Sequence, residues 1–335
     1  MFMMNRKTTL FGWGLLCIWL FSQCTTTQII YSNVSVPEEG GIRFEKLTDE
    51  NRDIVNGIST RNEYGKFEWW VNPCVAISPD GRKMAYLSYK NKQTNIMVAS
   101  TERGGSGATQ RTFRNWVTDL SWSPDGQYIY FSEQRNNTSS IYSINAEAGS
   151  VLNQLTFGNT YDAAPKASAN NPNIVFFSRQ EYGRSSIWSY NRENNLFTNY
   201  SNGCTPEPIK DEPDAFLCTR FNDKGIGEIW KINYQTGIET LILSRQDQSF
   251  TTPRISPDGQ WIVCMGNSFN PNNKRVQNLD IFVIRIDGSQ FTQLTFHPGN
   301  DGCPVWSPDG RSIYFLSQRG TAKGLFNVWR MNFNL

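Results

Sequence analysis

The chain of 335 residues contains one histidine, His297. That scarcity excludes multi-histidine metal centres and any Ser-His-Asp hydrolase not built on this one ring. No Gly-x-Ser-x-Gly nucleophile elbow occurs either. An excess of one charge is also missing: 32 Lys+Arg stand against 30 Asp+Glu, a net charge of +2. No global field therefore marks a nucleic acid as partner. An apolar run long enough to cross a bilayer is absent from the N-terminal region, where Leu10–Phe21 covers only twelve residues. Past Cys24 the cysteines are Cys74, Cys204, Cys218, Cys264 and Cys303, an odd number that does not read as a disulfide framework. Most lie in apolar runs, as small core hydrophobes do.

What is present is aromatic and punctuated. Aromatics reach 13%, with 11 Trp and 13 Tyr, and 26 Gly and 15 Pro interrupt the chain throughout. Short aromatic and β-branched runs between frequent turn signals predict an all-β chain. The N-terminus is set apart. Arg6 and Lys7 precede the Leu10–Phe21 run, and Ser22-Gln23-Cys24 ends it, as in a lipoprotein signal peptide. Residues 1–23 are thus a signal peptide and 24–41 a tether, with lipid on Cys24. An ordinary signal peptide cut nearby, with Cys24 incidental, is the alternative.

Beyond the tether the sequence repeats. Ser-Pro-Asp-Gly occurs four times, starting at Ser78, Ser123, Ser256 and Ser307. Degenerate copies begin at Ser168 and near Asp211, so successive anchors stand 45, 45, 43, 45 and 51 residues apart. Such a period suits a four-stranded propeller blade. Within the turn, Pro presets φ, Asp bonds its own following backbone and Gly accepts positive φ. Leu-Thr or an equivalent precedes each anchor, as at Leu47-Thr48, Leu155-Thr156 and Leu294-Thr295. An Ile/Val-aromatic strand follows it, as at Ile187-Trp188 and Val328-Trp329.

These motifs resemble the TolB-type propeller repeat over residues 42–335. The resemblance implies a six-bladed all-β propeller of four-stranded blades. The last repeat ends after its third strand, and residues Phe44 to Thr48 are suited to supply the fourth, which would remove exposed sheet edges. The α/β domain that precedes the propeller in TolB has no counterpart in the twenty or so residues after Cys24, so the roles attached to it do not carry over.

The Ser-Pro-Asp-Gly turns gather on one face and the longer loops on the other, where recognition is expected. Every loop between second and third strands carries a cation: Lys90 and Lys92, Arg135, Arg179 and Arg184, Arg220 and Lys224, Lys274 and Arg275, Arg319 and Lys323. They form either a basic rim for a carboxylate-bearing partner or ordinary solvated hairpins. An inserted segment adds Trp69 and Trp70, which serve as interface anchors or pack over the rim. Asp162 and Asp301 occupy equivalent positions before two inner strands, as turn caps or as groups near the pore. Cys74 and Cys303 fall on inner strands that a closed ring makes neighbours, so a disulfide there depends on their spacing. The expectation is a monomeric envelope lipoprotein, facing the periplasm or on the outer membrane, that binds a protein or peptide. Its partner-binding residues are Trp69, Trp70, Arg135, Arg179, Arg184, Arg220, Lys224, Arg319 and Lys323. No catalysis, metal, cofactor or nucleic acid enters this reading. The rival readings are a carbohydrate-binding propeller and a periplasmic glycan lyase or hydrolase.

Overall fold

The computed structural model describes residues 36–49, 53–54, 74–90, 93–102, 107–113, 116–147, 151–270, 273–320 and 325–334. Apart from a 3-10 turn at Pro37–Glu39, the regular elements are β-strands joined in antiparallel meanders. Each sequence repeat begins with an inner strand. In chain order these are Val75–Ile77, Val117–Trp122, Tyr161–Ala167, Cys204–Ile209, Phe250–Ile255 and Asp301–Trp306, numbered below as repeats 1 to 6.

In repeat 3 the inner strand pairs with Ile174–Glu181, then Arg184–Asn191, then Leu196–Asn202. Repeats 2, 4 and 5 follow the same order. Repeat 1 gains Asp53–Ile54 from the inserted segment, paired with Ser88 and Tyr89. In repeat 6 the outermost partner comes from the other end of the chain. Phe44–Lys46 lies antiparallel to Asn327–Asn332, with Phe44 opposite Met331 and Lys46 opposite Trp329. Each inner strand packs against the next, and that of repeat 6 packs against that of repeat 1.

The Ser-Pro-Asp-Gly steps are hydrogen-bonded units. In each, the Ser Oγ donates to the Asp Oδ1: Ser78 to Asp80 and Ser123 to Asp125 at 2.6 Å, Ser256 to Asp258 and Ser307 to Asp309 at 2.5 Å. The same Oγ accepts the N–H of the residue five positions on, as from Ser312 to Ser307 at 2.9 Å. The Gly closes the turn at φ 71–73°, in the left-handed region it tolerates without a Cβ clash. Sequence placed the fourth anchor near Asp211. In the structure it is a two-residue turn, Lys210-Asp211, because Ile209 pairs directly with Glu212.

The Leu-Thr step is equally local. Thr112, Thr156 and Thr295 turn inward and their Oγ1 atoms accept the N–H of Ile96, Ile141 and Ile281, each at 2.9 Å. Thr48 accepts the N–H of Val328 at 3.0 Å, the same bond made across the two termini. Between repeats, bulged residues at positive φ (Ala164, Thr205, Thr252) direct backbone N–H groups at the preceding repeat. Ala164 donates to Asp119 at 2.9 Å and Thr205 to the Ser178 hydroxyl at 2.8 Å. Apolar layers fill the gaps between sheets, with Phe131, Phe177, Phe216, Phe282 and Phe315 buried.

Candidate functional site

Strand alternation assigns two faces. Turns from first to second and from third to fourth strands share the turn face. The loop face carries the second-to-third hairpins and the crossings between repeats. Its sequence-selected cations have divergent surroundings. Arg319 is only 6% exposed and inserts between Asp301 (2.6 Å) and Glu39 (3.1 Å), with its guanidinium 4.1 Å from the Phe44 ring centre. Arg179 makes two bonds to Asp162, at 2.7 and 2.9 Å, and lies over Trp188. Asp162 and Asp301, equivalent in sequence, are thus equivalent in structure as arginine partners. Burial pushes the Asp301 carboxyl up and Arg319 opposes it.

Arg220 forks onto Glu239 at 2.7 and 2.6 Å, which raises the arginine and lowers the glutamate. Exposed Arg135 reaches Glu133 at 3.0 Å, a surface pair of little energetic weight. Among the described residues, Arg184 and Lys224 have no ion-pair partner and are exposed. Cys24, Trp69, Trp70 and Lys323 lie outside the described residues. Among the loop cations whose side chains are described, the exposed ones without an ion-pair partner therefore lie at repeats 3 and 4. There a polar cleft of about 940 Å³ is walled by Arg184, Tyr200, Arg220, Phe221 and Glu239.

Beyond Trp69 and Trp70, the sequence reading passed over six aromatic side chains of this face. Phe113, Trp116, Phe157, Tyr182, Phe221 and Phe296 are exposed here, from 38% at Phe296 to complete exposure at Tyr182. Tyr182 stands at a hairpin tip at φ 51°, beside Arg184. A local signal marked three of them: Phe113, Phe157 and Phe296 each directly follow the inward-turned Thr of the Leu-Thr step, and alternation sends the next side chain outward. The large exposed side chains near the turn-face ends, Val151, Leu196 and Ile238, are aliphatic.

His297 is buried, its Nδ1 accepting the Gly299 N–H at 3.0 Å. Cys74 and Cys303 are buried thiols in hydrogen-bond contact with each other and are not joined by a disulfide. The sequence reading expected a pore but missed the ionic residues on its wall: a cavity of about 310 Å³ opens to the turn face, lined by Lys166, Glu207 and Arg254 among others.

Antiparallel sheets arranged about such a channel define a β-propeller. Residues 70–263 match the family model of the TolB beta propeller domain, more than half the chain, and the chain belongs to that family. An uncharacterized protein of Agrobacterium fabrum is 23% identical over 210 residues, which cover 59% of this chain and 64% of that protein. The chain therefore matches a little under two thirds of its relative's length. TolB from Acinetobacter baumannii superposes with a TM-score of 0.58 at 15% identity, covering 76% of this chain and 64% of that one. A structure assigned as TolB from Agrobacterium tumefaciens gives 0.56 at 15% identity, covering 79% and 93%. An oligogalacturonate lyase from Vibrio parahaemolyticus gives 0.52 at 11% identity, covering 88% and 97%. At these identities the likeness is one of fold, and one fold hosts unrelated functions.

Proposed function

We propose that this chain is a six-bladed propeller, closed by its N-terminal strand, that binds an envelope protein or peptide on its loop face and catalyses no reaction. The observation that carries the binding reading is the grouping of exposed aromatic rings with unpaired cations on that face. Arg184 and Phe221 wall one cleft between repeats 3 and 4, and exposed Tyr182 and Lys224 belong to the same two hairpins. Aromatic anchors beside arginine are the composition of interface hot spots. The partner segment that fits them is acidic and partly apolar: carboxylates for Arg184 and Lys224, apolar side chains for the rings.

The blade count draws support from the cycle of inner-strand contacts and from the pairing of Phe44–Lys46 with Asn327–Asn332. The absence of catalysis is argued from the engagement of Asp162 and Asp301 by arginine, which removes two carboxylates as acid–base candidates. Among the described residues no helix is long and apolar enough to cross a membrane. Attachment to the bacterial envelope is proposed to run through lipid on Cys24, with the propeller acting as a monomer.

The combined variant Tyr182→Ala/Arg184→Glu tests the site. Both side chains are exposed, so the melting temperature should stay within about 2 °C while capture of crosslinked partners from solubilised envelopes falls several-fold. Capture at the wild-type level would refute the assignment. Exposed rings on one face also suit sugar stacking. A glycan array probed with wild type and Tyr182→Ala separates that reading, which requires a specific glycan signal lost in the variant.

A further inference from the structure

We propose that the channel holds a second site, on the turn face, for a small apolar monocarboxylate. The site is read from one register position. Ala76, Ser121, Lys166, Arg254 and Val305 each stand two residues before the first residue of their turn, and Glu207 matches Lys166 and Arg254 in standing two residues after a bulged residue at positive φ (Thr205, Ala164 and Thr252). All six line the cavity of about 310 Å³. Three consecutive inner strands thus contribute ionisable groups at one level, and the others contribute a hydroxyl and two apolar side chains.

The charges at that level do not cancel. Glu207 Oε2 receives Lys166 Nζ at 3.0 Å and Arg254 Nη1 at 3.1 Å. Two cations flank one carboxylate, which leaves a net positive charge at this level, and Lys210 also lines the cavity. Arg254 is 95% buried, being 5% exposed. Among the described residues its side chain hydrogen-bonds through Nη1 alone, to Glu207 and to the Pro253 carbonyl. A guanidinium carries five N–H groups, more than these two bonds use.

Ser121 supplies the independent observation. It is 4% exposed, it lines the cavity, and its Oγ has no hydrogen-bond partner. Buried hydroxyls are ordinarily paired, and this one sits in the cavity wall with no hydrogen-bond partner. A carboxylate meets all three needs. It neutralises the charge, accepts from the open side of Arg254, and accepts from Ser121.

The rest of the ligand follows from the walls. Pro79, Pro124, Pro257 and Pro308 from the four full turns surround the mouth. They offer apolar rings and no N–H donors. The volume stands at the lower end of small-molecule pockets, which span about 300–1,000 Å³. Together these select a short branched or cyclic organic acid. Burial lowers the Lys166 pKa while Glu207 opposes that shift, and a bound anion would add to the opposition.

Calorimetric titration with 4-methylpentanoate and its neutral amide, at pH 7, tests the site. The acid should bind and the amide should not. Ser121→Ala removes a hydroxyl without a partner, so it should leave the melting temperature unchanged while weakening the acid several-fold. Lys166→Met should weaken binding about tenfold, and Glu207→Gln, which adds to the net positive charge, should tighten it. A misfolded variant cannot produce the last result. The tripeptide Gly-Gly-Leu with a free C-terminus separates the sources of the carboxylate: if it binds more tightly than the acid, the small-molecule assignment is wrong. No binding of the acid up to about 10 mM, equal binding of acid and amide, or an unaltered affinity in Ser121→Ala would each overturn the proposal.

Discussion

Asp119 shows how one side chain replaces a pattern. At the equivalent position of the inner strand, repeats 3, 4, 5 and 6 carry residues at positive φ: Ala164, Thr205, Thr252 and Cys303. Asp119 instead accepts the Ala164 N–H at 2.9 Å and the Ser132 N–H at 3.0 Å, with the Ser132 hydroxyl as a further donor. Those bonds lower its pKa, but burial outweighs them and raises it from 3.8 to about 6. The sign follows: the folded state favours the neutral acid, so this contribution is full below pH about 4 and lost as pH rises through 6. A shift of about two units corresponds to about 3 kcal/mol. Thermal melts of wild type and Asp119→Asn across that window should show wild type losing stability relative to the variant as pH rises. Parallel curves would contradict it. Nothing in Thr118-Asp119-Leu120 discloses this, because the bonding partners lie 13 and 45 residues away.

At the scale of elements, what was legible was local. The Ser-Pro-Asp-Gly turns close through bonds spanning two to five residues, so the tetrapeptide carries its own geometry. The Leu-Thr step bonds 14 to 16 residues back within one repeat, and periodicity exposes it. Ion pairing was not legible. Arg220 finds Glu239 across two strands, and Arg319 finds Glu39, which lies 280 residues away in sequence. Loop cations read as a free rim therefore fall into paired and unpaired groups by tertiary context. The terminal strand was legible because repeat 6 lacked its fourth. Deleting residues 42–49 would remove the Phe44–Lys46 ladder, the Thr48–Val328 bond and the burial of Leu47. The expected cost is several kcal/mol, read as a large fall in melting temperature. A truncated protein that melts with the intact one would contradict the proposed closure.

For the whole molecule, the channel and the loop face divide the chemistry. Ionic residues from separate repeats converge only once the inner strands share a register, which is why Lys166, Glu207 and Arg254 escaped a reading organised around loops. The loop face gains three of its exposed rings, Phe113, Phe157 and Phe296, because alternation turns outward the side chain that follows an inward Thr. Recognition on this face is the central claim, and a photo-crosslinker scan in living cells tests it most directly. A photoreactive residue would replace Tyr182, Phe157 or Phe221 on the loop face, and Gln127 or Gln235 on the turn face. The account predicts a discrete protein adduct from the loop-face positions, strongest at Tyr182, and none from the turn face. Adducts confined to the turn face, or an identical pattern from both faces, would contradict it.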